Sequence, residues 1–404
     1  MYLDIALIAG CTLVFGCIAG LIERSWVSGP LIFMAIGYVF GPNVFGIFSF
    51  DADIEVIKTL AEVTLAIVLF NDAASIGLKP LGKHPLVPTR TLLAGLPMTL
   101  ALGALIAIFI FPDFTWVHAV LLSIILAPTD AALGLAVIKN HAVPQEIRRG
   151  LNAESGLNDG ICVPFLLVFL ALAQGTEPDQ SLGHFLIVTI IKEVGIGFLV
   201  GVSMSAAGWL LCRHAIKAQW ISKRWILVPT ISLAVMTFGL AQYLGGSGFI
   251  AAFCGGLFFG EKLHGAYNDE LAESEINGEI FSLLTWLLFG TLMVDIVRDV
   301  VWQELLYAVL SLTVIRMLPV FISLTGTPLS TEKKLFVGWF GPRGLASIVF
   351  IIMLMQSDLE HSDTIINTAT ITVILSVILH GITAFPWSKR FKKSPRHSTA
   401  SKVS

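Results

Sequence analysis

Apolar runs of 18 or more residues recur from one end of this 404-residue chain to the other, each long enough to cross about 30 Å of hydrocarbon. No other feature restricts the fold as tightly. A backbone in lipid must satisfy its own N–H and C=O groups, and unbroken runs of this length do so as helices. Composition agrees: 55% of residues are hydrophobic and 13% charged, too little charge to cover a soluble domain of this size. The chain therefore reads as an all-α polytopic membrane protein, with a membrane domain over 1–386 and a short basic tail over 387–404. Net charge is −3, and no basic stretch is interleaved with aromatics as nucleic acid would require. Membrane lipids are the expected surroundings. Cys11, Cys17, Cys162, Cys212 and Cys254 show neither CxxC spacing nor clustering with histidine, so neither a disulfide nor a resident metal or other cofactor is expected. The first apolar stretch, Asp4 to Ile22, lacks the basic n-region of a signal peptide and reads as a retained helix.

Apolar length and breaker positions give about 13 membrane segments. They run over 2–22, 27–48, 53–72, 88–111, 116–139, 148–174, 183–213, 223–243, 246–260, 277–297, 300–323, 332–356 and 363–386. The Gly-rich 246–260 is short enough for a half-helix, and 183–213 is long enough to require tilt or an extension beyond the bilayer. With the amino terminus outside, one side receives Arg24, Lys79, Lys83, Arg90, Lys139, Arg148, Arg149, Arg213, Lys217, Lys223, Arg224, Lys262, Lys333, Lys334 and the tail cations. The other side keeps Arg298 and acidic loops such as Asp51–Asp53 and Glu177–Asp179. By the positive-inside rule the basic side is cytoplasmic, so the carboxyl terminus lies inside. The polar, Ser-rich end after Lys389 reads as a disordered cytoplasmic tail.

A charge at the bilayer centre costs about 2.5–3.5 kcal/mol even on the lenient insertion scale, so the residues that carry this cost mark the chemistry. The fifth segment reads Ala127-Pro128-Thr129-Asp130-Ala131. Pro128 frees a carbonyl one turn earlier, and a broken helix at membrane depth must face protein or a watery cavity. Freed carbonyls, the Thr129 hydroxyl and the Asp130 carboxylate form an all-oxygen site suited to a hard cation. Asp130 can also cap the second half-helix, a role compatible with ion binding. The sixth segment carries Glu154-Ser155-Gly156-Leu157-Asn158-Asp159-Gly160. Ser155 and Asp159 share one helix face, Glu154 and Asn158 the adjacent one. Two acids, an amide and a hydroxyl within two turns exceed what packing alone needs. The twelfth segment reads Gly341-Pro342-Arg343-Gly344, where Gly-Pro breaks the helix and Arg343 requires a buried carboxylate. Glu154 is assigned to it, because Asp130 and Asp159 must stay free to bind a cation. Two broken helices, one in each half and each with a charge at its break, are the pattern of inverted-repeat transporters.

Other polar residues carry less. Asp72, at the inner end of the third segment, extends a polar funnel or caps at the interface. Glu62 can pair with Lys58 one turn back. Lys192, Glu193 and Arg316 read as structural or interfacial, and His380 as a hydrogen-bonded packing residue. The glycines at 245–248 and 255–256 suggest close helix contact.

At Pro128-Thr129-Asp130, Glu154 to Gly160 and Gly341 to Gly344 the sequence resembles cation:proton antiporter family 1, the sodium/proton antiporters of the NhaP type. The resemblance spans the whole membrane domain. It implies a 13-helix fold with a dimerisation domain and a six-helix core whose fifth and twelfth segments cross at unwound midpoints. It also implies a homodimer in the cell (inner) membrane and elevator-like alternating access. Residue by residue, Asp159 matches the essential carboxylate, and Asp130, Ser155 and the Thr129 carbonyl match cation ligands. Glu154 and Arg343 match a structural ion pair, and Asn158 the first member of the Asn-Asp pair. Ala131 departs from the family's usual proline, Gly156 from a bulkier apolar residue, and the short tail from the long carboxyl-terminal domain of many members.

The activity this implies is antiport of Na+ (or Li+) against H+, an electroneutral one-for-one exchange that serves pH homeostasis. K+/H+ antiport on the same scaffold is the nearest alternative. A cation channel is the alternative from another class, but no filter motif appears. No HExxH, GxSxG or metal cluster points to an enzyme.

Overall fold

In the computed structural model the described residues are 2–22, 25, 27–42, 44–48, 54–76, 86–130, 133–138, 140, 142–174, 182–222, 225, 227–263, 268–296, 299–357 and 359–391. They are helical, with no strand among them. The helices are α1 (Tyr2–Ile22), α2 (Gly29–Phe40), α3 (Ile54–Ile76), α4 (Leu86–Ile110), α5 (Trp116–Ile125), α6 (Leu135–Ile138), α7 (Gln145–Ala173) and α8 (Leu182–Lys217). They continue with α9 (Leu227–Tyr243), α10 (Gly248–Leu263), α11 (Asn268–Ile296), α12 (Trp302–Ser323), α13 (Thr331–Trp339), α14 (Leu345–Met355) and α15 (Ser362–Arg390).

A helix falls within every stretch read as a membrane segment. Among the described residues six helices, α1, α4, α7, α8, α12 and α15, contain spans long and apolar enough to cross a membrane. The others are shorter or more polar, so thirteen crossings stay an expectation. The helix in the region 246–260 is α10, Gly248–Leu263, unbroken over its 16 residues. The 36 residues of α8 extend about 54 Å at 1.5 Å per residue, well beyond the hydrocarbon. Of the loop residues that set the orientation, Arg24, Lys79, Lys83, Lys139, Lys223 and Arg224 lie outside the described residues, as do Arg298, 51–53, 177–179 and 392–404.

Local chemistry sets the boundaries. Ser28, Thr115 and Ser330 cap α2, α5 and α13 by accepting a backbone N–H three residues on. Pro97 cannot donate to the preceding turn, and α4 carries a π-helical turn over Thr91–Gly95 just before it. α12 is interrupted at Thr313.

Glycines bring several backbones into contact. A side chain at Gly37 would meet the Leu287 carbonyl, and one at Gly290 the Met34 carbonyl, so α2 and α11 touch along their backbones. Gly256 and Gly260 do the same for α10 on Phe70 and Ala74 of α3, and Gly201 of α8 rests on Ala251 of α10. Without a hydrophobic force between helices in lipid, such close approach lets dispersion hold them. Lys58 and Glu62 pair at 4.0 Å on α3, as their spacing suggested.

Two segments stay interrupted. One runs α5, then 126–130, and resumes at 133–134 before α6; the other runs α13, then 340–344, then α14. The interruptions meet: the Asp130 N–H donates to the Pro342 carbonyl at 2.8 Å. This is the crossing of unwound midpoints expected for the fifth and twelfth segments.

Candidate functional site

Each interruption strands backbone groups, and the site is built from how they are satisfied. α5 ends at Ile125 because Pro128 lacks the N–H that would continue it. The Ile125 carbonyl instead accepts the Ser347 hydroxyl at 2.8 Å. The Ala127 and Pro128 carbonyls accept Nη1–H of Arg343 at 2.7 and 3.3 Å. On the other strand of the crossing, α14 starts at Gly344 with no side-chain cap of its own. Asp130 supplies one: its Oδ2 accepts the Leu345 N–H at 2.9 Å, while Oδ1 accepts Leu133 N–H at 3.3 Å. A carboxylate at a helix amino terminus also faces the positive end of the helix dipole. Asp130 thus caps the half-helix of the other segment as well as holding its own.

α7 lies alongside and clamps the unwound strand. The Asn158 amide donates to Thr129 Oγ1 at 2.7 Å, and its carbonyl accepts Thr129 N–H at 3.3 Å. Ser155 Oγ donates to the Thr129 carbonyl. Asp159, one turn beyond Ser155 on the same face, is buried. Among the described residues its Oδ1 has no hydrogen-bond partner. Asp130 and Asp72 are the carboxylates whose charges act on it, so Asp72 of α3 belongs to this neighbourhood. A small cleft beside these groups is lined by Thr129, Asp130, Ser155, Leu151, Phe340 and Pro342. Asp130, Thr129, Ser155, Asn158 and Asp159 are therefore brought together, with oxygen donors suited to a hard monovalent cation.

The expected Glu154–Arg343 pair is not formed. Glu154 Oε1 lies 2.6 Å from Nη2 of Arg316 on α12, and both residues are about 3% exposed or less. Arg343, fully buried, instead donates to the Ala127 and Pro128 carbonyls of the interrupted fifth segment. Those oxygens are fixed and acceptor-only, and they hold Nη1 of the guanidinium. Arg316 reaches Glu154 across Gly341, where any β-carbon would strike its guanidinium. Of the two sequence readings of Arg316, structural and interfacial, the buried pair with Glu154 fits the first. Its signal was arithmetic: two intramembrane arginines compete for one spare acid.

Gly344 is equally constrained, since a β-carbon there would overlap the Asp130 carboxylate. Gly344→Ala should push Asp130 off the Leu345 N–H and lower stability by about 1–3 kcal/mol, as overpacking does elsewhere. Thermal unfolding of the purified variant checks this; a wild-type midpoint would mean that Asp130 does not cap α14.

The family model described as sodium/hydrogen exchanger, transmembrane, matches residues 6–390. The chain is 26% identical over 354 residues to the K(+)/H(+) antiporter NhaP2 of Shewanella sp. (strain MR-4), covering 87% of this chain and 60% of the relative. It is 27% identical over 384 residues to Na(+)/H(+) antiporter 2 of Zygosaccharomyces rouxii, covering 87% of this chain and 46% of that protein. The chain thus spans about 60% or less of the length of these two relatives. In fold it is similar to the sodium proton antiporter MjNhaP1 from Methanocaldococcus jannaschii at pH 8, with a TM-score of 0.75 and 18% identity, covering 94% of this chain and 99% of that one.

Proposed function

Since the chain belongs to the sodium/hydrogen exchanger family, we propose that it is a secondary transporter that exchanges Na+ (or Li+) for H+ at Asp159. The observation that carries this reading is a buried carboxylate oxygen without a hydrogen-bond partner among the described residues, beside a cluster of oxygen donors. Such a group is stable only if it holds something, and a proton and a small cation are the two candidates. Asp130, Ser155 and the Thr129 carbonyl complete the cation's shell. The Ser155 hydroxyl now occupies the Thr129 carbonyl, so cation entry turns the hydroxyl away and frees both oxygens. Asn158 and the Glu154–Arg316 pair hold the frame. Proton and cation compete for one carboxylate, so apparent cation affinity falls as pH falls. Exchange is one for one and moves no net charge, because Asn158 supplies no second carboxylate beside Asp159. No covalent chemistry is involved.

The protein works as a homodimer in the cell (inner) membrane, amino terminus outside and carboxyl terminus in the cytoplasm. The asymmetric distribution of Lys and Arg along the sequence supports that orientation. Alternating access follows an elevator-like movement of the part that carries the crossing.

Purified protein in proteoliposomes with an imposed pH gradient tests the reading. Addition of Na+ or Li+ should dissipate the gradient, and a membrane potential alone should drive no cation accumulation. Dissipation by K+ alone would replace sodium by potassium on the same site, the activity in the name of the Shewanella relative. Voltage-driven accumulation would require a second transported proton.

A further inference from the structure

In an unbroken α-helix the Arg343 N–H would donate to the Trp339 carbonyl, four residues back. The interruption separates these two groups, and α15 inserts two side chains between them. Ser376 and His380 stand one turn apart on α15, both buried. The Arg343 N–H donates to Ser376 Oγ at 2.7 Å. Ser376 Oγ lies 3.2 Å from His380 Nδ1, and His380 Nε2 lies 2.8 Å from the Trp339 carbonyl. That carbonyl also accepts the Gly341 N–H at 2.8 Å, which closes an inverse γ-turn at Phe340 (φ −80°, ψ 58°). The imidazole is stacked on the Trp339 ring, centroids 5.0 Å apart. Trp339 Nε1–H donates to Thr383 Oγ1 at 2.8 Å, one turn further along α15.

We propose that Ser376 and His380 form a side-chain bridge that replaces the missing Trp339–Arg343 hydrogen bond and holds 340–344 in its unwound form. They are positioning residues for the crossing, acting through the backbone of the twelfth segment. That backbone carries the Pro342 carbonyl onto the Asp130 N–H, the Arg343 side chain onto Ala127 and Pro128, and the Leu345 N–H onto Asp130. A released strand would loosen all of these together.

The bridge does not depend on the charge of the ring. A neutral imidazole with its proton on Nε2 donates to Trp339 and accepts the Ser376 hydroxyl on Nδ1. A protonated ring donates to Trp339 through Nε2 and, through Nδ1, to the Ser376 carbonyl at 2.8 Å. In both states Ser376 Oγ still accepts the Arg343 N–H. Arg343 and Arg316 are the charged groups acting on the ring.

Three variants test this: His380→Gln, whose amide can both donate and accept, His380→Leu, which can do neither, and Ser376→Ala. The transport readout rests on the exchange reading above; the second readout does not. In proteoliposomes His380→Leu and Ser376→Ala should raise the apparent cation KM several-fold to about tenfold, the scale of one buried hydrogen bond. His380→Gln should stay near wild type, with an unchanged pH profile. Wild-type KM in both disruptive variants, or a displaced pH profile in His380→Gln, overturns the proposal. Hydrogen exchange of the amides over 339–345 is measured in parallel and should be faster in His380→Leu and Ser376→Ala. If wild-type protein moves none of Na+, Li+ or K+, the exchange reading fails, while the exchange rates of these amides still decide the bridge. Unchanged rates would sink it. Should His380→Leu fail to fold, Ser376→Ala, which removes one oxygen, carries both measurements.

Discussion

Asp159→Asn should reduce cation-driven proton flux in proteoliposomes to the level of liposomes without protein, while the variant still inserts and folds. The amide has the shape of the carboxylate, so packing around α7 is kept. It can neither release a proton at the working pH nor present a negative charge to a cation. Folding should survive because the side chain's Oδ1 makes no hydrogen bond among the described residues, so no native partner is orphaned. Removing a buried charge also removes its desolvation cost. In the wild-type protein the proton and the cation compete, so flux against pH should be bell-shaped. Cation binding limits the acid side, where Asp159 is already occupied, and proton supply limits the alkaline side. Full flux from Asp159→Asn would remove this residue from the transport cycle and leave Asp130 as the exchanging group.

Breaking the Glu154–Arg316 pair should have the largest effect on stability. Both partners are buried, 2.6 Å apart, and removal of either leaves the other charge without its counter-ion. Such losses cost about 3–5 kcal/mol in buried pairs elsewhere. Glu154→Gln and Arg316→Gln should each lower the thermal midpoint sharply, and the double variant should be milder than the sum of the two. The same cycle between Glu154 and Arg343 should show a smaller coupling, since Arg343 is held by the Ala127 and Pro128 carbonyls. Strong coupling to Arg343 and none to Arg316 would restore the pairing expected from the sequence.

That pairing shows where sequence reading stopped. The charges themselves were legible because lipid makes them costly: Asp130, Glu154, Asp159 and Arg343 stand out against apolar surroundings in any window. The interruptions were legible from Pro128 and from Gly341-Pro342, whose backbone chemistry is local. Ser155 and Asp159 were placed on one face by helical spacing alone. Partner choice was not legible, because it depends on which helix faces which. Arg343 places its Nη1 on main-chain oxygens, acceptors that every residue carries and no motif advertises. Gly344 carries no reading of its own in the sequence beyond its place in the motif, whereas the space it leaves is filled by a carboxylate from 214 positions earlier in the chain (344 − 130). Helix lengths were likewise out of reach where polar residues crowd an end, as in α3 and α11.

The cap that Asp130 places on α14 also sets a timetable for making the protein. Its partner amide lies 215 residues downstream. At roughly 5–20 residues per second of synthesis, about 10–40 s pass between the emergence of the two groups. Throughout that interval the nascent chain holds a carboxylate and two bare carbonyls, at Ala127 and Pro128, whose native donors do not yet exist. The fifth segment must wait near water or against a temporary escort, and only the arrival of the twelfth lets it settle at depth.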